Sequence, residues 1–183
     1  MSNGFEFSLS SEEKDFLKRL AGLSIEKQFQ SDIELPEVPS SKLQEHYGAF
    51  VTLKEDGQLR GCIGNVLGDR PVWQAVSQMA VQAAFNDPRF PPLSKQELEE
   101  VEIEISILSP MQQCADLEQI QPGRHGLMIQ KGMHSGLLLP QVATEQGWDR
   151  ETFLSQTCVK AGLPPNAWQG KKIQIFCFEA EIF

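Results

Sequence analysis

The sequence predicts an α+β fold built on a mostly antiparallel sheet flanked by helices, and three observations carry that expectation. Segments with the two-residue period of strands come in pairs joined by turn signals. Segments with helical period stand before and after them without a regular β-α-β rhythm. The composition is that of an ordinary globular chain, with 183 residues, 40% of them hydrophobic and 22% charged. At this length one domain is the default.

A first helix is expected over about Ser11 to Phe29. Ser10 stands three residues before Glu13, the spacing of a capping box, and Phe16, Leu17, Leu20, Leu23 and Ile25 supply an apolar stripe. Residues 31–48, with L-P-E-V-P-S-S inside them, read as a connecting arm. A hairpin follows. Ala49, Val51 and Leu53 alternate with Phe50, Thr52 and Lys54, Glu55-Asp56-Gly57-Gln58 turns the chain, and Leu59 to Ile63 returns. Asp69 and Pro71 open a second helix with Val72, Ala75, Val76, Met79, Ala80 and Ala83 at helical spacing, which stops at Asn86-Asp87-Pro88. Ser94 and Glu97 repeat the capping-box spacing before a short acidic helix, and a strand with Val101, Ile103, Ile105 and Ile107 on one face comes next. Two shorter strands are expected at His125–Gln130 and Ser135–Leu139, and helices at Gln141–Glu145 and Arg150–Ala161. Gly162 terminates the last helix, and Ile173 to Ile182 form a closing strand with apolar groups on both faces.

Charge and composition exclude several classes of partner. The net charge is −9, and residues 1–92 carry 9 basic and 13 acidic groups against 7 and 12 in the remainder. Neither half offers the basic surface that nucleic acid or an anionic membrane requires. Apolar runs such as Ile175-Phe176-Cys177-Phe178 are far too short to span a bilayer, and M-S-N-G-F-E-F-S has neither the basic start nor the apolar stretch of a signal peptide. The four cysteines, at 62, 114, 158 and 177, contain no C-x-x-C pair, and the three histidines do not form H-E-x-x-H. No metal is expected, no cofactor is indicated, and the cysteines read as reduced thiols in a cytoplasmic protein.

The segment Leu59-Arg60-Gly61-Cys62-Ile63-Gly64 is the one that ordinary packing explains least. Strand period sets Arg60 and Cys62 on one face, where a guanidinium beside a thiol favours the thiolate. Gly61 and Gly64 let a ligand or another backbone come close. The bland alternative is a small buried cysteine in a bulged strand, with Arg60 paired to a carboxylate. His125, in Pro122-Gly123-Arg124-His125-Gly126, is either an acid–base partner for Cys62 or a residue that stabilises a turn. Cys114, Cys158 and Cys177 read as structural. Asn86-Asp87-Pro88-Arg89-Phe90-Pro91-Pro92 is stiffened by three prolines and either presents Asp87 and Arg89 to a ligand or simply ends a helix. Phosphate loops and the G-x-S-x-G elbow are absent.

L-R-G-C-I-G at 59–64, followed by N-D-P-R-F-P-P-L at 86–93, resembles the AMMECR-type domain family. E-I-S-I-L at 104–108, R-H-G-L at 124–127, L-L-P-Q-V-A at 138–143, Gln146-Gly147-Trp148-Asp149, Cys158 to Leu163 and Trp168 extend the similarity over nearly the whole chain. The resemblance implies an α+β fold with a smaller subdomain packed on a larger part, all within one domain over residues 1–183. Prokaryotic members look like the A component of the AmmeMemoRadiSam system, whose companions are a Memo-like protein and a radical S-adenosylmethionine protein. It also marks Arg60, Gly61, Cys62, Gly64 and His125 as functional features, while implying no established reaction.

Three readings follow. In the first, the chain is an accessory component that binds an unknown small molecule or a partner protein at a cleft around the hexapeptide. In the second it is a thiol-dependent enzyme, with Cys62 as nucleophile, Arg60 stabilising the thiolate or holding an anionic substrate, and His125 moving protons. In the third the hexapeptide is a folding element. Arg60, Arg89 and Arg124 all lie in glycine- or proline-rich segments, so an acidic chain is expected to keep a small basic niche for ligand.

Overall fold

In the computed structural model, which describes residues 8–170 and 172–183, the predicted capping box starts helix α1 (Ser11–Glu26). The Glu13 amide donates to Ser10 Oγ, and Glu13 Oε2 accepts the Ser10 amide at 2.9 Å. The helix stops three residues short of the expected end because Gln28 and Phe29 close i→i+3 bonds to Ile25 and Glu26. Of the N-terminal stretch read for a leader, only Ser8 is among the described residues. No described helix is long and apolar enough to cross a membrane.

The chain forms two compact units. In the first, which includes the described residues up to Leu108 and returns at Glu181–Phe183, strands β1 (Gly48–Glu55), β2 (Gln58–Asn65) and β3 (Glu102–Leu108) lie antiparallel in the order β2-β1-β3. Val51 and Leu53 of β1 and Ile105 and Ile107 of β3 alternate onto the buried face, as the strand period predicts. That face is covered by α1 and α2 (Val72–Phe85), whose Leu17, Leu20, Ile25, Val72, Val76 and Ala80 are buried. Full burial of each large aliphatic side chain contributes roughly 1.5–3 kcal/mol. The returning C-terminus pairs with β3, Ile105 and Phe183 exchanging two backbone bonds of 2.9 and 3.1 Å. Glu181 accepts the Leu9 amide and the Lys14 ammonium.

The second unit, Ser109–Ala180, contains β4 (Gln112–Gln113), β5 (His125–Lys131), β6 (His134–Leu138) and most of β7 (Gln174–Ile182). β5 pairs antiparallel with both β6 and β7, and β4 pairs with β7. Helix α4 (Arg150–Lys160), capped by Asp149 and ended by Gly162 at φ 71°, packs on β5 and β6. Leu127, Ile129, Phe153, Leu154, Cys158 and Ile175 form its core, beside the short helix α3 (Pro140–Glu145).

The reduced-cysteine expectation fails for one pair. Cys114 and Cys177 are joined in a disulfide, with Cα atoms 5.9 Å apart. The cause is a strand the sequence did not announce: β4 sets Gln112 opposite Cys177, and the Cys114 amide bonds the Ile175 carbonyl, so the two cysteines arrive within bridging range. Cys62 and Cys158 are free.

Candidate functional site

The hexapeptide lies on β2, which has β1 on one side and the 86–97 segment along the other. An edge strand leaves every second N–H and C=O without a ladder partner. At Cys62 side chains take that place. Its amide donates to Asp87 Oδ2 at 2.9 Å, and its carbonyl accepts from Arg89 Nη2 at 3.3 Å. Asp87 is only 4% exposed and receives four donors: the Cys62 amide and the backbone N–H, Nε and Nη2 of Arg89. The Arg89 guanidinium beside it holds the Asp87 carboxyl well below the usual carboxylate range. The stiff proline segment therefore turns Asp87 inward, onto the strand, and leaves the Arg89 side chain half-exposed.

Arg60 does not stand where strict strand period predicts. The β1–β2 register passes from Leu53↔Gly61 to Lys54↔Leu59, so Arg60 is the extra residue of a β-bulge. The bulge breaks the two-residue period between Arg60 and Cys62 and buries Arg60, 7% exposed, with its Nε bonded to Glu97 Oε1 at 2.8 Å. Two cations lie near the Phe90 ring, its centroid 5.9 Å from the Arg60 guanidinium carbon and 5.5 Å from that of Arg89. Glu97 escaped the sequence reading as a site residue. Its signal was the Ser94–Glu97 capping spacing, which the structure realises with the Ser94 amide on Glu97 Oε2 at 2.7 Å and the Glu97 amide on Ser94 Oγ. One carboxylate thus caps a turn and holds an arginine.

These contacts depress the Glu97 carboxyl to about 2, the Arg60 bond contributing most. A carboxyl with a lowered folded-state pKa adds stability that is complete above its ordinary value and lost as pH falls through the lowered one. Between about pH 4.5 and pH 2, stability is therefore expected to drop more steeply in the wild type than in Glu97→Gln. Urea midpoints measured across that range check it, and parallel curves for the two proteins would refute it.

The Cys62 thiol has an environment unlike the one expected from its neighbours in sequence. Burial pushes its pKa up, and that effect outweighs the Thr52 hydrogen bond and the Arg89 charge, which favour the thiolate. Thr52, its cross-strand partner, donates Oγ1–H to the sulfur at 3.3 Å. Arg89, which also bonds the Cys62 carbonyl, supplies a cation that favours the thiolate. Lys54 and Glu104 form an ion pair of 2.8 Å across β1 and β3, and the charges of Asp87 and Glu104 both oppose the thiolate.

Both glycines are filled spaces. A Cβ on Gly61 would overlap the Ala83 carbonyl oxygen of α2, and one on Gly64 would fall inside the ring of Phe50, its cross-strand partner. Gly126 and Phe178 repeat the second arrangement in the other unit.

His125 belongs to that other unit. Its Nδ1 accepts the Gln121 amide at 3.1 Å, and its own amide donates to the Gln121 carbonyl, closing a turn through Gly123 at φ 89°. With Nδ1 accepting, the neutral ring carries its proton on Nε2. Burial lowers its pKa, aided by Arg124 and opposed by Glu179. Arg124 donates to Glu179 Oε1 through Nε at 3.1 Å and approaches it through Nη2 at 3.0 Å, with His125 Nε2 3.9 Å from the same oxygen. Of the three arginines expected to share a niche, Arg60 and Arg89 meet on Phe90, and Arg124 lies in the other unit. Each is paired with a carboxylate, Glu97, Asp87 and Glu179 respectively. Among the described residues no group of three or more His, Cys, Asp or Glu side chains is arranged to hold a metal.

Comparison with known proteins places these residues in a family context. The family described as AMMECR1 matches residues 18–183. A protein of Nanoarchaeum equitans is 46% identical over 159 residues, covering 83% of this chain and 88% of the relative. One of Methanopyrus kandleri is 44% identical over 185 residues, covering 96% and 89%. The crystal structure of an uncharacterized protein from Pyrococcus horikoshii matches with a TM-score of 0.89 at 40% identity, over 95% of this chain and 92% of that one.

Proposed function

The chain belongs to the AMMECR1 family, and on that premise we propose that it is a cytoplasmic accessory component serving a Memo-like protein and a radical S-adenosylmethionine protein. It takes a small ligand or a partner on the face of β2 around Leu59–Gly64. The observation that favours binding over thiol catalysis is the setting of Cys62. Burial disfavours its thiolate more than the Thr52 hydrogen bond and the Arg89 charge favour it, and Asp87 and Arg89 are occupied with its backbone. A nucleophilic cysteine needs the opposite, a lowered pKa or an adjacent base. The cluster chemistry of such a system falls to the companion, because the cysteines here lack cluster spacing.

Co-expression of the full chain with the Memo-like and radical S-adenosylmethionine proteins of the same organism, followed by gel filtration, is expected to give co-elution with at least one of them. Three separate species would overturn the accessory role. The thiol has its own measurement, iodoacetamide labelling of the Cys62 peptide followed by mass spectrometry across pH. Labelling at neutral pH is expected to be slower than in the denatured chain, with its midpoint above the ordinary thiol value of about 8.5. Faster labelling than the denatured control would restore the enzymatic reading.

A further inference from the structure

Arg60 is buried, 7% exposed, yet among the described residues only one of its three guanidinium nitrogens has an acceptor. Nε is bonded to Glu97, while Nη1 and Nη2 are both buried and have no hydrogen-bond acceptor among the described residues. Phe90 meets the charge of the guanidinium but offers no acceptor for its N–H groups. A guanidinium keeps its charge and all five donors, so burying four of them unpartnered is costly unless something completes the set. The free edge has a definite shape: two terminal NH₂ groups side by side, the fork that donates to two oxygens of one anion. The rest of the local structure holds that fork in place. The bulge aims Arg60, the Ser94–Glu97 capping box fixes the carboxylate on Nε, and Arg89 adds a second cation against the same ring.

We propose that the terminal edge of Arg60 is the receptor for a small oxyanion, a carboxylate or a phosphate, carried by the ligand of this site. The proposal rests on the reading above that β2 carries a ligand site, and it names the chemistry of that ligand. Phe90, partly exposed, is one side chain that lies against the guanidinium. Arg60 binds the oxyanion, Glu97 orients Arg60, and no covalent step is involved.

The test titrates the full chain with sodium acetate and, separately, with sodium methyl phosphate, against sodium chloride at matched ionic strength, by calorimetry. Saturable binding of one or both probes is expected, acetate alone pointing to a carboxylate ligand and methyl phosphate alone to a phosphate. Arg60→Lys, which keeps the charge and loses the fork, is expected to weaken binding by about tenfold or more. Phe90→Ala, which removes the ring beside the guanidinium and leaves its donors in place, is expected to retain it. A response no larger than that of chloride, or undiminished binding in Arg60→Lys, overturns the proposal. Should the lysine variant fail to fold, nitrogen-15 spectra of the wild-type arginine side chains decide: Arg60 Nη signals that stay unmoved at saturating probe overturn it equally. Anion binding and co-elution with the companion proteins are read separately, so failure of one is distinguishable from failure of the other.

Discussion

Replacing Asp87 with alanine is expected to lower the free energy of unfolding by about 3 kcal/mol, measured by urea denaturation near neutral pH. The carboxylate is 4% exposed and serves four donors, so its removal strips the Cys62 amide of its acceptor on the strand edge and leaves the Arg89 guanidinium without its counter-charge. Exposed ion pairs are worth under about 1 kcal/mol, and a count of salt bridges would rank this one with the others. Its buried acceptor sets it apart. Arg89→Ala tests the distinction, because that side chain is half-exposed and its loss is expected to cost only about 1 kcal/mol. Equal costs for the two substitutions, or a cost below about 1 kcal/mol for Asp87→Ala, would mean that the segment does not clamp β2 in this way.

Gly61→Ala is expected to cost about 3 kcal/mol, at the upper end for a single added methyl. The added carbon would meet the carbonyl oxygen of Ala83, and a helix backbone cannot yield as a side chain can. Either β2 or α2 must move, and both carry residues of the site. Gly22→Ala is the control. Gly22 lies inside α1, and an added Cβ would rest 3.7 Å from Ile103 Cδ1, an ordinary contact, so that change is expected to stabilise by about 0.5–1 kcal/mol. If the Gly61 variant melts with the wild type, the close approach of α2 to the hexapeptide is refuted.

The elements were legible because their signals are local. The capping boxes at Ser10 and Ser94, the hairpin turn at Asp56-Gly57 and the terminator at Gly162 each lie within a few residues of what they control. The hexapeptide was legible as unusual for the same reason. Its geometry was not, because a bulge is a relation between two strands: the residue displaced at Arg60 shows only in the shift of register against Leu53 and Lys54. The neighbours of Cys62 follow the same division. Arg60, two residues away, stood in for the nearby charge, whereas Arg89, 27 residues on, supplies a cation that favours the thiolate.

By itself the sequence determined the fold class, the order of the helices and of the strands other than β4, the family, and the stretch of β2 on which attention belongs, since periodicity, caps, turns and motifs are written along the chain. Only the tertiary structure decided what that stretch does physically. It turned Asp87 from a candidate ligand contact into the acceptor that holds the strand edge, gave Gly61 and Gly64 to the Ala83 carbonyl and the Phe50 ring, joined Cys114 to Cys177, and left two nitrogens of a buried arginine without a partner among the described residues. The physical reason is common to all four. Burial and hydrogen-bond satisfaction depend on groups far apart in the chain meeting in space, and no local pattern records which of them will meet.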